Sequence, residues 1–237
     1  MTHTLHKANT RGHAEIDWLK SDHTFSFSSY YDPDRMNFGT LRVINDDIIA
    51  PSMGFGTHPH RNMEIISVPI RGALKHKDTM NNEYVIRKGE IQTMSAGRGV
   101  AHSEFNASAS EEANFLQIWV LPKKMEVEPS YSQKEFDPKG MKNNFQLIVS
   151  PDGRDNSAAI NQDAYFSQVT LDEGKKLTYQ KYEKDNGVYF FVIKGDVEVD
   201  GVSLKDRDGL GIEDIDNIEV KSSKEAEILV MEVPMLD

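Results

Sequence analysis

Two short stretches carry the residues best suited to chemistry. His58 and His60 stand two apart within Gly54-Phe-Gly-Thr-His-Pro-His-Arg-Asn-Met-Glu64, and His102 and Glu104 stand two apart within Ser95-Ala-Gly-Arg-Gly-Val-Ala-His-Ser-Glu104. Alternate residues of a β-strand point to one face, so two neighbouring strands can aim three imidazoles and a carboxylate at one point. That constellation reads as a metal site. A His-x-His pair alone is a weak signal, but here a second pair matches its spacing and glycines beside both permit tight backbone corners. Imidazole with carboxylate suits iron, manganese, nickel, copper or zinc, whereas calcium and magnesium prefer oxygen alone.

Other candidates have blander readings. Glu64 shares strand parity with His58 and His60 and could be a ligand, a partner for a histidine N–H or a solvated edge residue; the second is preferred. His76 and Asp78 also share a face, yet they sit beside a turn among lysines and read as a solvated hairpin. His3, His6, His13 and His23 lack partners at useful spacing. Phe55, Phe115 and Trp119 read as core, although any of them could line a pocket.

The elements that must position these residues are short strands and tight turns. Leu41-Arg-Val-Ile-Asn45, Glu64-Ile-Ile-Ser-Val-Pro-Ile70, Tyr84-Val-Ile-Arg87, Ile91-Gln-Thr-Met94 and Phe115-Leu-Gln-Ile-Trp-Val-Leu121 are β-branched or aromatic runs bounded by Gly, Asn, Asp or Pro. Pro69 cannot donate to a ladder and predicts an edge or a bulge. Charged, proline-bearing sequence around 126–142 reads as a connection, which divides the chain into an N-terminal metal-binding unit (1–125) and a C-terminal unit (143–237). The second unit repeats the first: Ile70-Arg-Gly72 resembles Ile193-Lys-Gly195, and Gly89 resembles Gly209, at offsets of 123 and 120. Carried through that offset, His58 and His60 fall on Lys181 and Glu183, and His102 falls near Ser222. No histidine lies beyond His102, so the first unit is expected to hold the metal.

Composition narrows the function classes. The 237 residues carry 27 Lys+Arg against 38 Asp+Glu, a formal net charge of −11, which disfavours nucleic acid as a partner. With no cysteine, disulfides, thiolate ligands and cysteine nucleophiles are excluded. No window approaches a membrane span and the N-terminus lacks a secretory apolar region, so a cytoplasmic protein without membrane association is expected. A monomer is slightly preferred, because two β units can bury their sheets against each other.

Several motifs resemble the cupin superfamily and, more closely, pirin and the bacterial pirin-like quercetinases. Gly56-Thr-His-Pro-His-Arg-Asn-Met-Glu64 approximates the first cupin motif, and Gly89 through Gly97, with His102 and Asn106, the second. His23-Thr-Phe-Ser-Phe, Tyr30-Tyr-Asp-Pro, Leu41-Arg-Val-Ile-Asn-Asp-Asp and Met94-Ser-Ala-Gly-Arg-Gly extend the likeness through the N-terminal half. Asn62 and Met63 depart from the Gly-Phe that pirins carry there, which leaves the ligands intact but alters a pocket wall. The resemblance implies an all-β bicupin of two antiparallel, jelly-roll-like barrels packed together, the second degenerate and metal-free. It implies one divalent metal held by His58, His60, His102 and Glu104, iron(II) first, with nickel, manganese, cobalt, copper or zinc as alternatives. The implied activity is cleavage of the flavonol quercetin by O2 between carbons 2 and 3 with loss of carbon monoxide, Glu104 acting as catalytic base. The alternatives are an iron-binding regulator acting through a protein partner and a dioxygenase with another natural substrate.

Overall fold

The computed structural model describes residues 2–236. The first half contains β1 (Thr2–His6), β2 (Gly12–Ile16), β3 (Leu19–His23), β4 (Leu41–Ile49), β5 (Gly54–His60), β6 (Glu64–Arg71), β7 (Ala73–Asp78), β8 (Glu83–Arg87), β9 (Glu90–Ser95), β10 (Val100–Asn106), β11 (Ala113–Val120) and β12 (Ser130–Glu135). The second contains β13 (Gln146–Ser150), β14 (Ala158–Ala159), β15 (Tyr165–Leu171), β16 (Lys176–Gln180), β17 (Asn186–Lys194), β18 (Val197–Val199), β19 (Val202–Leu204), β20 (Gly209–Glu213), β21 (Asn217–Ser222) and β22 (Ala226–Pro234). Among the described residues the one α-helix, Pro138–Met141, is four residues long, and no helix is long and apolar enough to cross a membrane.

The strands form two units of matching plan. In the first, a seven-stranded sheet β12-β9-β6-β11-β4-β3-β2 packs over a four-stranded sheet β5-β10-β7-β8; in the second, β1-β20-β17-β22-β15-β13-β14 packs over β16-β21-β18-β19. All strand pairs are antiparallel except β13 with β14, as expected for a two-unit all-β chain. The repeat read around Gly72 and Gly195 is the turn from β6 to β7 and from β17 to β18, and both glycines adopt positive φ, a conformation glycine reaches without strain.

Strand pairing departs from the expected boundaries at both ends. β1 leaves the first unit and pairs with β20 of the second, while β12, within the expected connection, pairs with β9 of the first. The two take equivalent places at the sheet edges, β1 crossing onto the second unit's sheet and β12 extending the first's, and both satisfy backbone groups that would otherwise face solvent.

The central strands of the large sheets are buried on both faces. In β6, Glu64 to Val68 are all buried, the near-continuous burial expected of a strand covered on both sides. Ile66, Val68, Leu116 and Ile118 pack with Phe166, Phe191, Leu229 and Met231 of the second unit in one cluster. Ile65 and Ser67 face the small sheet. Pro69 sits beyond the ladder to β9, which ends at Ser67, and the register to β11 shifts between Asn114 and Phe115, opposite Pro69 and Arg71. The strand is central, and the bulge is the solution its proline required.

Because that inter-sheet cluster is shared, the halves are expected to unfold together. Phe191→Ala removes a fully buried ring and is expected to cost about 3–5 kcal/mol. Both tryptophans, Trp18 and Trp119, lie in the first half, so denaturant titration should show their fluorescence midpoint falling together with the far-ultraviolet circular dichroism. A fluorescence midpoint that stays in place would show that the halves unfold independently.

Candidate metal centre

The site is built on the small sheet of the first unit. β10 pairs with β5 so that His102 opposes His58, and with β7 so that His102 opposes Asp78 and Glu104 opposes His76. The register between β5 and β10 slips between His102 and Glu104, where Glu104 opposes Phe55. One extra residue of β5 is thereby inserted near Gly56 and Thr57. The bulge places Phe55, His58 and His60 on one face, and Gly56 turns its carbonyl to His58 Nδ1 at 2.8 Å. That carbonyl accepts the Nδ1 proton, which leaves Nε2 with its lone pair.

Three imidazoles converge. Ring centroids are 4.5 Å apart for His58 and His102, 4.8 Å for His58 and His60 and 4.9 Å for His60 and His102, and one nitrogen from each lies within 4.8 Å of the others. Burial, with a smaller contribution from neighbouring imidazoles, lowers the pKa of His60 to about 4 and of His102 to about 2. Both are therefore neutral near pH 7 and keep lone pairs to donate. Buried polar atoms in folded proteins almost always find partners, yet neither ring nitrogen of the fully buried His102 has one. A cation at the centre of the three rings would resolve that, and the donor set fits a divalent metal.

Glu104 lies on the same strand face, fully buried. Ser67 donates to its Oε1 at 3.1 Å and Gln117 to its Oε2 at 2.6 Å. Burial raises its pKa to about 7 against the opposing pull of these two hydrogen bonds. One ligand atom from each of Glu104, His102 and His76 also lies within 4.8 Å of the others, so His102 stands between the other two imidazoles and Glu104.

His76 and Asp78 are not a solvated hairpin. β7 lies inside the small sheet between β10 and β8, and its lysines, Lys75 and Lys77, alternate onto the outer face alone. His76 is fully buried and donates Nε2–H to Asp78 Oδ2 at 3.0 Å. The backbone amides of Met80 and Asn82 and the Asn82 side chain hold Asp78 in turn. His76 Nδ1 is left buried without a partner, 5.3 Å between ring centroids from His102. Glu64, expected as a partner for a histidine, instead accepts from Ser95 Oγ and from the Asn161 backbone amide at 2.9 Å, and so ties the first unit to the second.

Counting along the ladders from Gly72 and Gly195 corrects the repeat. His58 corresponds to Tyr179, His60 to Lys181, His102 to Ile218, Glu104 to Val220 and His76 to Val199. A constant offset missed these equivalences because the turns differ in length. Tyr179, Val199, Ile218 and Val220 belong to the apolar interior of the second unit, where the donor set is replaced by packing.

A cavity of about 390 Å³ opens onto His58, His60 and Glu104. Phe27, Phe55, Leu19 and Trp119 form its apolar walls; Trp119 stands edge-on to His60 at 5.0 Å between centroids and to Phe27 at 5.3 Å. Ser21, His23, Asn45 and Asp47, from β3 and β4, form a polar wall. None of these four was picked out from the sequence as part of a site, and His23 was set aside. The available signal was polarity at inward positions of strands, Ser21 and His23 in β3 and Asn45 and Asp47 in β4, and it needs the sheet register to be read.

Family comparison agrees with this architecture. Residues 4–120 match the pirin domain and residues 147–233 the quercetinase C-terminal cupin domain. The chain is 42% identical over 230 residues to a quercetin 2,3-dioxygenase of Escherichia coli K12, covering 97% of this chain and 98% of that protein. It is 41% identical over 223 residues to a pirin-like protein of Caulobacter vibrioides, covering 93% and 95%. Among solved structures, the bacterial pirin YhhW from Escherichia coli in complex with nickel(II) superimposes with a TM-score of 0.93 at 40% identity, over 99% of this chain and all of that one. With two cupin units of matching plan and likeness over nearly its whole length, this chain belongs to the pirin family.

Proposed function

We propose that the protein is a metal-dependent dioxygenase that opens quercetin with O2 between carbons 2 and 3 and releases carbon monoxide. The observation that carries this reading is the convergence of His58, His60 and His102, with His102 also grouped with Glu104 and His76, beside an aromatic-lined cavity that His58, His60 and Glu104 reach. These four residues are the proposed ligands and iron(II) the proposed metal. When bound, the cation would supply a Lewis acid that favours the deprotonated form of a flavonol hydroxyl. The Escherichia coli relative, a quercetin 2,3-dioxygenase, supports the reaction class, and the nickel(II) complex of the bacterial pirin supports a divalent metal.

The protein's own groups do the rest. Glu104 is the proposed base and accepts the hydroxyl proton. Ser67 and Gln117 fix both of its oxygens, so the carboxylate does not have to reorganise as the proton arrives. The Gly56 carbonyl locks the tautomer of His58. Phe27, Phe55 and Trp119 exclude water from a planar substrate and hold its ring plane.

Protein reconstituted with iron, incubated with quercetin under air, should lose flavonol absorbance and release carbon monoxide. Absence of turnover with iron, nickel, manganese, cobalt and copper alike would overturn the reading for this substrate. Elemental analysis should show His60→Ala losing most of its metal while Lys181→Ala, at the equivalent position of the second unit, retains it; equal retention would place the metal elsewhere. The pH dependence follows from the carboxylate. A raised pKa means that Glu104 carries a proton below about pH 7, which the metal must displace, whereas His60 and His102 compete only near pH 4 and below. Metal affinity is expected to fall roughly tenfold per pH unit below 7, and Glu104→Gln should flatten that dependence between pH 5 and 7. A slope unchanged in this variant would assign the proton to another group.

A further inference from the structure

The polar wall has a hydrogen-bond logic of its own. Ser21 and Asp47 are directly opposed across β3 and β4, as are His23 and Asn45, so the four side chains form a compact patch on the face that looks into the cavity. Ser21 Oγ donates to Asp47 Oδ1 and lies 2.8 Å from His23 Nε2. With its proton given to Asp47, the hydroxyl accepts from His23, which fixes the Nε2–H tautomer. His23 Nδ1 is then a lone-pair acceptor, buried without a partner, and Asn45 Oδ1 is another. Asp47 Oδ2 takes no hydrogen bond from the described residues. All three residues are more than nine-tenths buried.

The patch therefore offers acceptors at His23 Nδ1 and Asn45 Oδ1, joined by Asp47 Oδ2 when that carboxyl, raised to about 7 by burial, is ionised, and buried acceptors of this kind call for O–H or N–H donors. Its position is equally specific. Gln117, which holds Glu104, opposes Asn45, and Asn45 opposes His23. At about 4.8 Å per strand, His23 lies roughly 10 Å along the sheet from Gln117. The gap between metal end and acceptor wall is bounded by aromatic side chains. A planar molecule of two or three rings that carries a hydroxyl at each end bridges such a gap; one with a single hydroxyl leaves the acceptors unsatisfied.

We propose that Asp47, His23 and Asn45 form a second substrate subsite, which recognises a phenolic hydroxyl remote from the metal-binding oxygen and selects polyhydroxylated over monohydroxylated planar aromatics. Ser21 is its positioning residue, fixing Asp47 and the His23 tautomer together. The burial that lowers the pKa of His23 keeps its ring neutral, consistent with the acceptor role. The subsite rests on the reading that a flavonol-like aromatic enters this cavity, but it concerns binding rather than turnover.

The test separates the two. Metal-loaded protein is titrated without oxygen with quercetin and with 3-hydroxyflavone, which keeps the metal-binding hydroxyl and carbonyl and lacks the remote hydroxyls. Quercetin should bind at least about tenfold more tightly, as expected for hydrogen bonds to buried acceptors. The ratio should fall to within about threefold in Asp47→Asn and in Asn45→Leu, two substitutions of similar volume. Equal affinities in the unsubstituted protein, or a ratio preserved in both variants, would overturn the subsite, and the first of these outcomes needs no variant to fold. Turnover under air is then scored separately. Discrimination in binding with no turnover of either flavonol removes the dioxygenase reading and leaves the subsite standing, whereas turnover of both at equal affinity does the reverse.

Discussion

A buried imidazole with nothing to bond to is the constraint around which the first unit is arranged. His102 is fully enclosed with both ring nitrogens unpartnered, and each unsatisfied buried polar atom costs about 1–3 kcal/mol. Glu104 beside it is also enclosed, with hydrogen bonds from neutral groups alone. Burial pushes the imidazoles toward neutrality and the carboxylate toward its protonated form. These are the protonation states that burial favours. They are also what makes the site responsive, because a divalent cation supplies the charge the carboxylate lacks and occupies lone pairs that nothing else reaches.

The second unit shows what the same sheet plan does without that constraint. Its ladder equivalents of His58, His76, His102 and Glu104 are Tyr179, Val199, Ile218 and Val220, part of one continuous apolar interior. In the first unit the interior is split into two smaller clusters, Ile49, Leu74, Ile86 and Phe115 on one side and Ile65, Met94, Ala96 and Val100 on the other. Between them runs a row of polar residues directly opposed from strand to strand across the large sheet: Gln92, Ser67, Gln117, Asn45 and His23. The row interrupts hydrophobic packing and supplies both the hydrogen bonds to Glu104 and the acceptor wall. The stability it forgoes is offset by the apolar cluster shared with the second unit. A degenerate partner unit thus contributes to a site it does not touch.

How much of this was legible in the sequence depended on sequence distance. The spacing of His58 with His60 and of His102 with Glu104 is local, and the strand period alone puts each pair on one face. The bulge at Pro69 was signalled by the missing N–H, whereas the register slip beside Gly56 was not predicted. His76, Asp78 and His23 were misread because burial depends on which strand lies beside which; the lysines around His76 occupy only the outer face of an internal strand. The polar row could not be read at all, since its members lie on strands scattered from β3 to β11 and meet only through register. For the same reason a constant repeat offset placed the lost site on Lys181, Glu183 and Ser222 rather than on the ladder equivalents of His58 and His102. The pairing of β12 with the first unit was hidden in a segment whose charge and proline suggested a plain connection, and that of β1 with β20 joins opposite ends of the chain.

The register that hid the polar row also gives it its chemical sense. Directly opposed residues of neighbouring strands stay about 5 Å apart whatever their side chains, so a transverse row is a ruler laid across the cavity floor. One end of that ruler is pinned to Glu104 through Gln117, and the other ends at His23, whose tautomer Ser21 and Asp47 set. Loops could present the same groups, but their spacing would drift with every local rearrangement. At the Gln117 end the neighbouring strands pack into the inter-unit core, and the His23 end is held in register by the ladder from β3 to β4. A rigid span with metal donors at one end and acceptors at the other reads substrate length as well as substrate polarity.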